Sequence, residues 1–367
     1  MVCGPPTRLR VRRVAVVLTL LAIAAAAALT TGLASAASTV PVFPPEGWTG
    51  NCTHLEEFEV DDFPRRPEID NKYLPIVPGI RTVFEGEVEG ISHRVEFTVT
   101  DLTKVINGVR VLIVHDVDVA NAGTPDEEVA ERELSFWAQD DDDNVWNLGE
   151  YPEEFGGVDA AGNEIWAAPR TWIAGTGPPG LEAEAGIHMR SRPRVSTREY
   201  IQGFAPGTQP DQFFDCAKVM EKGGTVDVAA GTFSNTVVTH ETNLAVEGDG
   251  VQSKTHAPWV GIVQIGAIDP GTLATGEVLD LVSRERLTPE DMDIVREAAM
   301  ELDTRAYSEP NAMNAGYNLT TPAQQGGYEE DDDGDGIPDW DDRDERDGRH
   351  HRGQRHERER WSIAIGR

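Results

Sequence analysis

Positive charge is in short supply in this sequence. Lys and Arg number 32 against 64 Asp and Glu, for a formal net charge of −32. Such a chain repels phosphate backbones and anionic lipid headgroups, which argues against nucleic acid as a partner and favours divalent cations. The short signatures of catalysis are missing as well: there is no G-x-S-x-G elbow, no H-E-x-x-H, no Walker loop and no S-x-x-K in a usable setting. Paired carboxylates discriminate nothing among 64 acids. Triads assemble in space rather than in sequence, so a hydrolase stays open as the alternative class. Cysteine is rare, with three residues, and no apolar run after the first 36 residues is long enough to span a membrane.

Those first 36 residues read as a bacterial-type signal peptide. Arg8, Arg10, Arg12 and Arg13 form a positive start, Val14 to Leu29 is apolar or small apart from Thr19, and Ala34-Ser35-Ala36 is an A-x-A cleavage site. Arg12-Arg13 hints at twin-arginine export, although the following residues fit that pattern poorly. Four arginines and no acid leave with this segment. The mature chain then holds 28 basic and 64 acidic residues, a formal charge of −36. Cys3 leaves too, and Cys52 and Cys216 remain where disulfides persist, so one Cys52–Cys216 bridge is expected. The expected location is extracellular or cell-wall associated.

Residues 37–60 read as an extended lead-in and 61–285 as a β-rich core. His93 to Thr100 alternates, with Val95, Phe97 and Val99 on one face. Arg81 to Glu87 and Val109 to Val119 are further strands, and Asn107-Gly108 is a strong hairpin turn. Glu133–Gln139 and Val145–Leu148 flank an acidic turn, and 225–228, 233–239 and 260–265 add more short runs. Many short strands without alternating helices predict a mostly β fold. The expected form is a curved antiparallel sheet, half-barrel or sandwich-like, with one amphipathic helix and a disordered C-terminal tail. The helix is expected over 288–305. Thr288 caps it, Pro289 opens it, and Met292, Val295, Ala299 and Leu302 share a face that packs on the sheet or a partner. Residues 306–330 read as a linker and 343–367 as a charged disordered tail.

Several phrases, among them NKYLPIVPGIRTVFEG (71–86), INGVRVLIVHDVDV (106–119), FWAQDDDDNVWNLGE (136–150), WIAG (172–175) and PRVSTREYIQGFAPG (193–207), resemble a family of secreted, largely uncharacterised bacterial proteins. The resemblance spans about 65–265 and implies export and a β-rich core; it transfers no activity. The chain departs from the family pattern at HAPWVGIV (256–263).

The most specific site signal is the run DDDGDGIPDWDD. Asp331, Asp333 and Asp335 fill positions 1, 3 and 5 of a twelve-residue calcium loop. Gly336 fills the turn, Ile337 offers its carbonyl, and Asp339 and Asp342 fill positions 9 and 12. These residues are expected to bind one Ca²⁺. The segment resembles a thrombospondin type 3 repeat loop, with only a broken second copy at Asp342, Asp344 and Asp347. Asp140, Asp142 and Asn144 make half of such a loop and read as a polar hairpin tip. His350, His351 and His356 read as solvated. Trp137, Trp146, Trp166 and Trp172 either belong to the core or line an apolar cleft.

Together these features predict a secreted, non-enzymatic binding or surface protein. Its partner would be an apolar small ligand or a surface component. A pocket holding convergent polar groups with shifted pKa values would instead favour an enzyme, and a dry apolar groove the binder.

Overall fold

The computed structural model describes residues 52–159, 161–195, 198–206, 213–245, 251–267 and 277–326. The expected signal peptide, calcium loop (331–342) and tail (343–367) lie outside the described residues.

The strands in chain order are β1 (Ile80–Val88), β2 (Ile91–Ile106), β3 (Val109–Ala120), β4 (Glu128–Gln139), β5 (Val145–Val158), β6 (Glu164–Ala167), β7 (Trp172–Ile173) and β8 (Glu184–Met189). They continue with β9 (Tyr200–Ala205), β10 (Phe213–Val228), β11 (Gly231–Asn243), β12 (Gln252–Ala257), β13 (Gly261–Ala267), β14 (Val278–Arg286) and β15 (Gln324–Gln325). Twelve of them follow the order β1-β14-β13-β12-β11-β10-β9-β8-β5-β4-β3-β2, and β2 pairs back with β1. The mostly β, curved antiparallel fold expected from sequence is met, and its sheet closes into a twelve-stranded barrel. Closure leaves no sheet edge for another chain to pair with along this ring.

Local chemistry explains the turns. Asn107 and Gly108 both adopt positive φ, at 48° and 83°, as a type I′ hairpin turn requires, and they join β2 to β3. In β5, Gly149 lies at φ 147°, where a Cβ would come within 2.6 Å of the Trp172 carbonyl. Glycine there lets β7 close against β5.

The outer face of β2–β5 is apolar and carries α1 (Pro289–Ala306). Thr288 accepts a hydrogen bond from the Asp291 amide, so the cap read from sequence is made. Ala299, Leu302 and Ala306 pack with Ile113, Leu134, Phe136 and Tyr151. The expected linker at 306–330 is corrected over its described part. It holds α2 (Pro310–Asn314), a short 3-10 turn and β15, because Ala312 and Tyr317 are fully buried against the same face. Burying each large apolar side chain contributes about 1.5–3 kcal/mol.

Inside one end of the barrel, Leu112, Val114, Trp137, Val145, Val219 and Val237 meet Ile69, Tyr73, Leu74 and Ile76 of the N-terminal segment. That segment is an internal plug. Asn71 shapes it by accepting from the Tyr73 and Leu74 amides, and its own amide donates to the buried Gln139 side chain at 2.8 Å. The Cys52–Cys216 disulfide, with Cα atoms 6.2 Å apart, ties the lead-in to β10.

Candidate functional site: the carboxylate end of the barrel interior

Side chains alternate across a strand, so inward positions can be followed from one strand to the next. At the plugged end Leu112 of β3 sits beside Trp137 of β4, which sits beside Asn147 of β5. The next inward row is Val114, Ser135 and Glu150; then come Asp116, Glu133 and Pro152; then Asp118, Glu131 and Glu154. The interior thus passes from apolar to strongly acidic along the barrel axis.

The electrostatics place these carboxylates in a shared space. Burial pushes Asp116 well up, and the charges of Glu131 and Glu150 push it further. Burial likewise raises Glu133, with Glu150, Glu131 and Asp116 adding to it. Glu131 rises to about 7, through burial opposed by Arg170 and reinforced by Glu154. Burial raises Glu150 despite hydrogen bonds from Asn147 and Trp172. Glu150 also feels Lys254 of β12, five strands away around the ring, so this interaction crosses the interior.

The acids are unequally satisfied. Glu150 accepts from Asn147 Nδ2 at 2.6 Å and Trp172 Nε1 at 3.3 Å. Asp118 meets His93 Nδ1 at 2.7 Å. Arg170 donates to Glu154 at 2.7 Å and to Glu131 at 2.9 Å. Asp116 Oδ1 is sealed from water and has no hydrogen-bond partner.

The facing wall is polar and closely knit. Glu241 of β11 lies 2.6 Å from Lys254 and accepts from Thr239 at 3.0 Å and Gln202 at 3.2 Å. Burial works to raise the Glu241 pKa, but Lys254 and His188 bring it down to about 2. Burial lowers His188 to about 4 and His256 to about 3, so both imidazoles are neutral at pH 7. Thr239 Oγ1 and His256 Nε2 are 3.2 Å apart, but both residues are fully buried and the Thr239 hydroxyl is committed to Glu241. That pair is no accessible nucleophile and base. The Tyr200 hydroxyl on this wall is buried without a partner.

The four tryptophans of the sequence reading do not share a cleft. Trp137, Trp146 and Trp172 are core, exposed by 6, 3 and 2 %. Trp137 packs edge-on to His188 in the interior, whereas Trp146 meets Phe58 and Phe63 outside. Trp166 lies under Arg132 and beside Phe155. Trp172 stacks on Phe213 at 4.6 Å. Asp140 accepts from the Asp142 and Asn144 amides, the Asn144 side chain and Trp146 Nε1, so this half-loop is the polar hairpin tip expected. Among the described residues no cluster of His, Cys, Asp or Glu has the geometry of a metal site. The six calcium-loop residues, Asp331, Asp333, Asp335, Ile337, Asp339 and Asp342, lie outside the described residues. So do His350, His351 and His356.

No family model matches the chain, and no curated protein matches it. Solved structures with partial similarity include a protein of Bacteroides fragilis described as exported with a YmcC-like fold. Its TM-score is 0.33 at 11 % identity, over 59 % of this chain and 99 % of that one. A protein of Parabacteroides distasonis described as a lipoprotein gives a TM-score of 0.29 at 10 % identity, over 59 % and 100 %. Scores this low carry no argument about this chain. Among the described residues no helix is long and apolar enough to cross a membrane.

The interior acids escaped the sequence reading, which saw strands but not which face was enclosed. The signal available was the spacing of Asp116 with Asp118 and of Glu131 with Glu133, at strand period on adjacent strands.

Proposed function

We propose that this chain is an exported, non-enzymatic barrel that binds a small organic cation in its acidic interior. The observation that carries this reading is the sealed, unpartnered Asp116 Oδ1 among Glu131, Glu133 and Glu150, whose like charges oppose one another. Burying carboxylates without counter-charge is costly, and a positive ligand offsets that cost. The apolar end is filled by the chain's own side chains, so the favoured occupant is a cation rather than the apolar ligand expected from sequence. Export is supported by the A-x-A leader and by a buried disulfide, a bond that persists in oxidising compartments. Calorimetry with agmatine tests the reading: saturable heat is expected, weakened at least tenfold in Glu133→Gln. No heat at millimolar agmatine, or equal heat with neutral butanol, contradicts it.

A second reading has its own observation. Glu131, with a pKa of about 7, is suited to donate a proton near neutral pH, as a hydrolase acid would. Turnover of glycoside or ester substrates that is lost in Glu131→Gln would favour that enzyme over the binder. The Ca²⁺ loop of Asp331 to Asp342 stays part of the proposal on its spacing, with an affinity on the order of 10⁻⁴–10⁻³ M. Calcium titration of the full chain against Asp331→Ala with Asp333→Ala checks it, and identical binding by both removes the assignment.

A further inference from the structure

Arg170 stands at the acidic end of the interior for a reason written in the topology. The edge of β5 that faces away from β4 is shared. β6 takes it at Glu154, β7 takes it at Gly149 and Glu150, and the turn 168–171 lies between. That turn is fixed, since Ala168 is fully buried and its carbonyl accepts from both the amide and the hydroxyl of Thr171. Arg170 is therefore held beside Glu154, and its guanidinium bridges to Glu131 on β4.

Among the described residues no other cation is hydrogen-bonded to Asp116, Glu131, Glu133, Glu150 or Glu154. The field of Arg170 reaches further than its bonds, because it also opposes ionisation loss at Glu133 and Glu150. Yet its side chain is 40 % exposed, so it is not sealed in the interior.

We infer that Arg170 is a built-in counter-ion and the specificity-determining residue of the interior, occupying the Glu131–Glu154 pair that an entering cation must contest. The inference rests on the cation-binding reading above. The chain's own guanidinium demonstrates which chemistry this pair accepts: a planar or compact cation with several N–H donors. It also sets a threshold. Any cation must displace Arg170 from the outer pair, and a ligand with two positive groups offsets that cost by also reaching Asp116, Glu133 and Glu150.

The test uses the full mature chain with agmatine, a dication, and butylamine, a monocation, in calorimetry at pH 7.5. Arg170→Gln and Arg170→Ala are both made, so that a folding defect in one leaves the other. Far-UV circular dichroism confirms the fold, and Arg170→Lys restores the charge. The neutral variants are expected to bind butylamine at least tenfold more tightly than wild type. Arg170→Lys is expected to return to within threefold of wild type. Agmatine binding by wild type with no gain for butylamine in either neutral variant overturns the role of Arg170 and leaves cation binding standing. Absence of binding of either amine by wild type and both folded neutral variants overturns both.

Discussion

Two regions of this barrel handle buried charge in opposite ways. Under α1, Lys104 is fully buried, yet its ammonium lies 2.6 Å from Asp303 and 3.9 Å from the centre of the Tyr317 ring. Asp303 also accepts from the Tyr317 hydroxyl at 2.7 Å and the Ala323 amide at 2.9 Å. Nearby, Glu153 accepts from Tyr151, Arg132 and Arg305. Both of these carboxylates are paired with cations. In the interior, acids exceed cations and one carboxylate oxygen is sealed without a partner. The balanced network fixes a helix to a wall, whereas the unbalanced one leaves an interaction for something else to complete.

Breaking the balanced side has the largest expected effect. Asp303→Ala strands the Lys104 ammonium among Phe136, Tyr307 and Tyr317, and should cost about 3–5 kcal/mol in urea unfolding. A loss below about 1 kcal/mol would mean that the pair does not pin the helix. Reducing the Cys52–Cys216 bond should lower stability by about 2–5 kcal/mol. Thiol titration of the denatured mature chain should find no free thiol before reduction, and two would contradict the bridge. Asp140→Ala, at the hairpin tip, should cost about 1–2 kcal/mol by removing the carboxylate that accepts from the Asn144 amide and the Trp146 indole. That change belongs to neither charge network, so it should leave the binding of agmatine unaltered.

The strands easiest to read from sequence were β1 to β5, where alternation is regular and Asn107-Gly108 marks a turn. β8, β9 and β12 went unread because inward His188, Gln202, Lys254 and His256 interrupt the apolar pattern. The polar interior hides its own strands. In β3 and β4 the reverse confusion holds: Asp116, Asp118, Glu131 and Glu133 alternate like residues facing solvent. Periodicity separates two faces without saying which one a closed barrel encloses. Tyr317 was missed for another reason, since a single buried aromatic in a Gly-rich and polar stretch carries no period.

Thermal stability between pH 5 and 9, with and without agmatine, tests the unbalanced interior most directly. The folded pKa values of Asp116, Glu131, Glu133 and Glu150 are raised, so their contribution is present at low pH and is lost as pH rises through those values. His115, His188 and His256 are depressed to about 4, 4 and 3, so theirs is complete above about 6.5, the ordinary histidine value, and is lost on acidification. The two sets oppose each other between about pH 4.5 and 6.5; above that window the carboxylates act alone until Lys104, lowered to about 8 by burial, begins to oppose them. Stability should therefore decline from pH 6.5 towards 8, by on the order of 1–2 kcal/mol after solvent screening. Agmatine should raise the Tm by an amount that grows with pH as the carboxylates ionise. A flat profile between pH 6.5 and 8, together with no pH-dependent gain from agmatine, would contradict an interior of uncompensated acids.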